Sequence, residues 1–318
     1  MTKISRILCV VDPTTKTQHA VERAAWVAGK LGADLELFIC YYNEYLSGTR
    51  FFDSPSLEKA REEVMENNQK YLNELARPLA DSGLTVSTKT TWAHPLYDEI
   101  VRYAAASGAD LVFKDTHHHS AAARALLSNT DWQLIRSCAS PLWLVKPRTF
   151  SDNPVFIAAI DPMNEHDKPA ALDDEIILTS KALAEKCDGE LHAFHSYDPR
   201  IAMATSSASA YLPVSLPMDE IDHAAMRDSH GERFNEITEH HNIGADKAHL
   251  VSGLTHEELP ELANKLHADV VAMGAVSRNR LKRLFVGATA ERTLDHLPCD
   301  LLIIKPSWFE TPAEILEG

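Results

Sequence analysis

A chain of 318 residues, 45% hydrophobic and 24% charged, can bury a large core, and at about 150 residues per domain it has room for two. Its net charge of −15 repels nucleic acid and acidic membrane surfaces, which argues against general nucleic-acid binding. No apolar run approaches the roughly 20 residues of a membrane span, and the N-terminus leads into a strand-like run without a signal peptide. The expected location is the cytoplasm. The cysteines, Cys9, Cys40, Cys138, Cys187 and Cys299, form no Cys-x-x-Cys pair and no zinc spacing. They read as small core hydrophobes in a reducing compartment.

In chain order, strands are predicted at residues 7–11, 35–40, 86–91, 111–114 and 142–145. Helical periodicity covers residues 19–31 and 56–79, the latter through Leu57, Ala60, Val64, Tyr71, Leu72 and Leu75. Strands that are nearly continuous apolar runs, alternating with helices, imply a parallel sheet covered on both faces. The pattern then repeats. Arg6-Ile-Leu-Cys-Val-Val-Asp12-Pro13 returns as Val155-Phe-Ile-Ala-Ala-Ile-Asp161-Pro162. From Asp110 to Pro147 and from Asp269 to Pro306 the two copies keep a constant offset of 159. A period of that length is a duplicated domain and not a solenoid. The fold is therefore expected to be α/β, with two tandem doubly wound domains. Each would be a five-stranded, mainly parallel sheet with helices on both faces. The domains would span residues 1–150 and 151–318, with the boundary near residues 149–153. Ligands of such sheets bind beyond the carboxyl ends of the strands, near the switch in strand order. That singles out Asp12 and Asp161 after the first strands, and the loops after Asp115 and Gly274.

The second of those loops carries the most specific pattern, Met273-Gly274-x-x-Ser277-x9-Gly287-Ala288-Thr289-Ala290. With the duplication, it resembles the universal stress protein family in its tandem-domain form, across essentially the entire chain. The nucleotide-binding members of that family carry Gly-x-x-Gly-x9-Gly followed by Ser or Thr. Gly274 and Gly287 match at that spacing, Ser277 stands at the middle glycine, and Ala288 precedes the hydroxyl of Thr289. The resemblance implies ATP or a related nucleotide, with Mg²⁺, in the second domain. The implied contacts are Met273, Gly274, Val276, Ser277, Gly287, Ala288, Thr289 and Ala290, with Asp161 and Pro162 bordering the nucleoside. Glycines admit close approach of phosphate and positive φ, and helix-start amides donate to the anion. Arg278, Arg280, Lys282 and Arg283 add positive charge. The first copy has Asp115, His118 and Ser128 at the three glycine positions, and its nucleotide motif is degenerate. The family pairs domains through the last strand. The resemblance thus implies packing of the two copies about a pseudo-two-fold axis, with homodimerisation of the chain and an unidentified protein partner as further expectations.

A separate candidate is His117-His118-His119. His94 ends a strand candidate expected to neighbour the one preceding this triplet, so His94, His117 and His119 are candidate zinc ligands. His223, His230, His240 and His241 fall on one long helical stretch and are expected to face solvent. Residues 198–217 are low in charge and follow the second strand of copy two, at the ligand edge. No nucleophile elbow, P-loop or diagnostic carboxylate pair is present, so any hydrolysis would be weak. The leading reading is a cytoplasmic stress-response protein acting as a nucleotide-binding sensor or adaptor. The alternatives are a carrier or sensor of a non-nucleotide, apolar small molecule, and a structural interaction module with vestigial sites.

Overall fold

The computed structural model describes residues 3–47, 55–116, 127–163, 171–198, 220–275, 293–294 and 296–317. They fall into two units: Met1–Phe150 together with Asp300–Gly318, and Ser151–Cys299.

The first unit contains β1 (Arg6–Val10), α1 (His19–Leu31), β2 (Asp34–Tyr41), α2 (Pro55–Asp81), β3 (Val86–Trp92), α3 (Leu96–Ser107), β4 (Leu111–Asp115), α4 (Asn129–Ser137) and β5 (Leu142–Val145). The last strand of the chain, β10 (Asp300–Ile304), completes its sheet in the order β3-β2-β1-β4-β5-β10. Pairing is parallel except for β10, which runs antiparallel to β5 with Leu302 opposite Trp143. Burial follows position in the sheet. Every residue of β4, β5 and β10 is buried, whereas β3, at the edge, has no fully buried residue and carries Lys89. Helices cover both faces. Gln69 of α2 bonds Thr88 and Thr90, which lie opposite Leu37 and Ile39 of β2. Tyr103 of α3 bonds Glu36 and stacks on Phe38, the intervening positions of the same strand. Successive strand residues face opposite ways, so α2 and α3 lie on opposite faces.

The start of β1 is pinned by Asp110, whose carboxylate accepts from the Ser5 and Arg6 amides at 2.7 and 2.9 Å. Asp300, fully buried at the start of β10, gathers a larger set of donors. It takes Arg23 of α1 in an ion pair, the Trp143 indole N–H at 2.9 Å and the Lys146 amide at 2.9 Å. The Arg23 guanidinium also lies over the Phe150 ring, 3.7 Å from its centroid. Burial pushes the Asp300 carboxyl upward, while Arg23 and the two N–H donors pull the other way.

The second unit contains β6 (Val155–Ala159), α5 (Ala171–Lys186), β7 (Glu190–Tyr197), α6 (Glu220–His240), β8 (Ala248–Ser252), α7 (Thr255–Lys265) and β9 (Val270–Gly274). Its described strands are all parallel, in the order β9-β6-β7-β8. Asp269 repeats the role of Asp110, accepting from the Ser151 and Val155 amides at 3.2 and 3.0 Å. The helix ends differ between the copies. In the first, α1 and α3 stop at Gly32 and Gly108 with φ of 64° and 66°, the left-handed conformation that glycine adopts without a Cβ penalty. The corresponding positions of the second are Asp188 and His267, held at φ of 55° and 51°.

All five cysteines are free thiols. Cys40 is half-buried and the others are buried. Burial pushes Cys40 up to about 12 and Cys138 to about 11, which keeps both thiols protonated and unreactive. No helix among the described residues is long and apolar enough to cross a membrane.

Candidate functional site

In the second unit the chain steps from β6 to β7 to β8 on one side, then crosses to place β9 on the other side of β6. The switch in strand order therefore lies between β6 and β9, and their carboxyl ends form the crevice where ligands of this architecture bind. Ala159 is in register with Met273, so Ile160-Asp161 and Gly274 leave the sheet side by side. Asp161 and Pro162 thus sit at the switch point with Met273 and Gly274. The Asp161 amide donates to Asp173 Oδ1 at 3.2 Å, and Asp173 is buried in the first turn of α5.

Gly274 does not adopt the left-handed conformation. Its requirement is space: a Cβ there would come within 2.7 Å of Leu172 Cδ2 and 3.2 Å of Ile176 Cδ1, both on α5. Glycine lets α5 pack closely on β9, and leaves the strand end without a side chain. Val276, Ser277, Gly287, Ala288, Thr289 and Ala290 lie outside the described residues, as do the basic residues from Arg278 to Arg283 and residues 199–217.

Two histidines beside this crevice depart from the sequence expectation. His230 of α6 does not simply face solvent; it is half-buried against β7, with Nδ1 2.7 Å from His195 Nε2 and its ring 5.0 Å from that of Tyr197. His195 is itself buried, and its Nδ1 lies 3.2 Å from the Ile160 carbonyl oxygen. Burial pulls its pKa down to about 4, against an upward pull from the Asp161 charge. His241 is also buried, bonded to Asp174 at 2.6 Å. Ser196 of β7 bonds Thr255 of α7 on the opposite face of the sheet from His195, so α6 and α7 cover different faces. Another histidine pair, His192 Nδ1 to His249 Nε2 at 2.9 Å, belongs to a chain with Glu190 and Lys247 near the amino ends of β7 and β8. That is the far end of the strands from the crevice.

The same location in the first unit is built differently. Its switch falls between β1 and β4, bringing Asp12 and Asp115 together. Asp12 forms a local turn, accepting from the Thr14 amide at 2.8 Å and the Thr14 hydroxyl at 2.6 Å. Asp115, which replaces Gly274, turns its buried carboxylate onto the start of α1 and accepts from the Ala20 amide at 2.9 Å. The first unit thus supplies its own anion at a helix start. Lys114 turns to Asp131 in α4, at 2.8 Å with both side chains largely buried.

His94 requires a correction. It follows β3, at the edge of the sheet, and β2 and β1 separate β3 from β4. At about 4.8 Å per strand, the strand ends near His94 and the histidine triplet are about 14 Å apart and not neighbours. The His94 ring instead packs on Tyr42, centroids 4.4 Å apart. His117 and His119 lie outside the described residues. No group of three or more His, Cys, Asp or Glu residues among the described ones is placed to hold a metal ion.

Residues 3–146 and 161–305 each match the Universal stress protein family. Universal stress protein E of Escherichia coli K12 is 28% identical over 316 residues, covering 99% of this chain and 98% of the relative. The universal stress protein E homolog of Haemophilus influenzae is 24% identical, covering 96% and 98%. Among solved structures, a putative universal stress protein from Pseudomonas aeruginosa aligns with a TM-score of 0.73 at 24% identity, covering 99% of this chain and 95% of the other. One from Archaeoglobus fulgidus aligns with a TM-score of 0.67 at 15% identity, covering 96% and 99%. A duplicated α/β pattern matched along both repeats leads to one conclusion: the chain belongs to the universal stress protein family, in its tandem-domain form.

Proposed function

We propose that the chain is a cytoplasmic stress-response protein that binds ATP or a related nucleotide in its second repeat, residues 151–318, and acts as a sensor or adaptor. The observation that carries this reading is the contrast between Gly274 and Asp115 at equivalent switch points. Asp115 carries a carboxylate at the first switch point and engages the start of α1 with it. Gly274 ends its strand with no side chain and no acidic group. Asp115 thus adds at the first strand end a carboxylate that Gly274 lacks at the second, where the acidic groups are Asp161 and Asp173.

The residues at the second switch fit a nucleotide in kind. Asp161 is an acceptor for ribose hydroxyls or base N–H groups, and Gly274 and Gly287 stand at the sequence spacing of the family's nucleotide-binding members. Mg²⁺ would neutralise phosphate charge when bound. Binding, not turnover, is the activity assigned to this site.

Calorimetry with Mg-ATP on protein stripped of bound nucleotide tests the reading. Binding is expected in the wild type, is retained in Asp12→Asn and is lost in Gly287→Asp. Absence of heat at millimolar ATP in verified apo protein refutes it.

A further inference from the structure

The histidine pair beside Asp161 has a defined direction. The Ile160 carbonyl oxygen only accepts, so His195 Nδ1, 3.2 Å away, carries a hydrogen. A neutral imidazole carries one, which leaves His195 Nε2 as an acceptor. The hydrogen between the rings therefore belongs to His230 Nδ1, at 2.7 Å. Neutral His230 then holds its lone pair on Nε2, a nitrogen with no partner among the described residues. The rings lie nearly parallel, at 17°, with Phe234 of α6 against His195 and Tyr197 of β7 against His230.

Protonation is equally directional. A proton added to His230 Nε2 leaves both hydrogen bonds intact. One added to His195 Nε2 breaks the bond between the rings, because it sets that N–H against the N–H of His230 Nδ1. The charged groups that act on the pair come from other elements: Asp161, at the end of β6, on both rings, and Asp173 of α5 on His195. Asp161 favours a proton on either ring and Asp173 on His195, but burial outweighs them and lowers the pKa of both rings, that of His195 to about 4.

We propose that His195 and His230 set the chemical selectivity of the crevice beside Asp161, with His195 as a fixed acceptor and His230 as the group that changes. With His230 neutral, its Nε2 accepts from an N–H or O–H of a ligand. With His230 protonated, the same nitrogen donates to an anionic oxygen, so that a phosphate- or carboxylate-bearing ligand is taken up with one proton. His230 is thus a specificity-determining residue of the site assigned above, and the proposal rests on that assignment for its probe, ATP.

Two measurements on the full chain test it. In ¹⁵N-imidazole NMR from pH 8 to 5, His195 should keep its hydrogen on Nδ1 while His230 titrates alone. A His195 hydrogen on Nε2, or joint titration of the rings, overturns the proposal whether or not ATP binds. In calorimetry at pH 6 with two buffers of different ionisation enthalpy, the wild type should take up more protons per ATP than His230→Gln, by up to about one. The glutamine amide still donates to His195 Nε2 but binds no proton, and the difference cancels the titration of ATP itself. Equal proton uptake with intact ATP binding refutes the selectivity role and leaves the nucleotide reading standing. If the wild type binds no ATP, the nucleotide reading falls. The ¹⁵N shift of His230 on adding inorganic phosphate then decides: a protonation shift supports the pair as an anion reader, and its absence refutes it.

Discussion

Removing the Asp300 carboxylate should weaken the first unit more than any ordinary surface change. In Asp300→Ala, Arg23 loses its buried carboxylate while keeping its contacts with the Arg148 carbonyl and the face of Phe150, and the Trp143 indole N–H and the Lys146 amide lose this acceptor. Breaking one side of a buried ion pair costs about 3–5 kcal/mol, because the remaining charge is left in a poor solvent for it. For a unit of this size each kcal/mol is worth roughly 2–4 °C in melting temperature. The double variant Arg23→Met/Asp300→Leu should be less damaging than the single one. It removes both charges, a change that is often neutral or stabilising, and leaves the two orphaned donors at about 1–3 kcal/mol each. Asp300→Asn separates charge from hydrogen bonding, since its amide oxygen can still serve one donor. Urea unfolding read by tryptophan fluorescence, with Trp143 buried inside the network, gives the three free energies. A cost below about 1 kcal/mol for Asp300→Ala, or a double variant weaker than the single, would refute the account.

Two other outcomes follow from the second unit. His267→Gly should stabilise it by about 0.5–1 kcal/mol, since an exposed histidine there holds a left-handed conformation that Gly108 holds freely in the first copy; a loss in thermal midpoint would contradict this. His195 has its folded pKa near 4, below the ordinary value of 6.5, so its contribution is complete above pH 6.5 and is lost as pH falls toward 4. The loss is about 3 kcal/mol over that window, and His195→Gln, which can donate to Ile160 and accept from His230, should flatten the slope of stability against pH. Parallel slopes in the two proteins would exclude His195 as the titrating group.

Local punctuation made parts of the fold legible. The helix from residue 19 to 31 and the strand from 142 to 145 were readable to the residue, because Gly32 stops the first and Pro141 and Pro147 bracket the second. Asp110 and Asp269 were visible as a repeated pair, though their common role in pinning a strand start appears only in three dimensions. Asp300 gave no such signal: its partner Arg23 is 277 positions away, and no periodicity links residues so distant. His230 was misread for a related reason. Its helix is polar on most sides, so the sequence does not mark the stripe that meets His195, and contact is fixed by the strand β7 beneath it. The switch-point residues Asp161 and Gly274 were found because duplication exposed them twice, once with glycine and once with Asp115.

The placement of β10 in the first unit has a temporal meaning. Its strand and the Asp300 carboxylate are encoded after the whole of the second unit. On the ribosome, β5 and Arg23 are made early and must wait for their partners until synthesis is nearly over. At 5–20 residues per second that interval is on the order of 8–30 s for β5 and about 14–55 s for Arg23. The second unit is thus translated in full before the first can close. A nascent chain stalled after residue 150 has emerged from the ribosome but before Asp300 is made should leave Trp143 less protected than in the released protein, which makes the order of closure observable by pulse labelling.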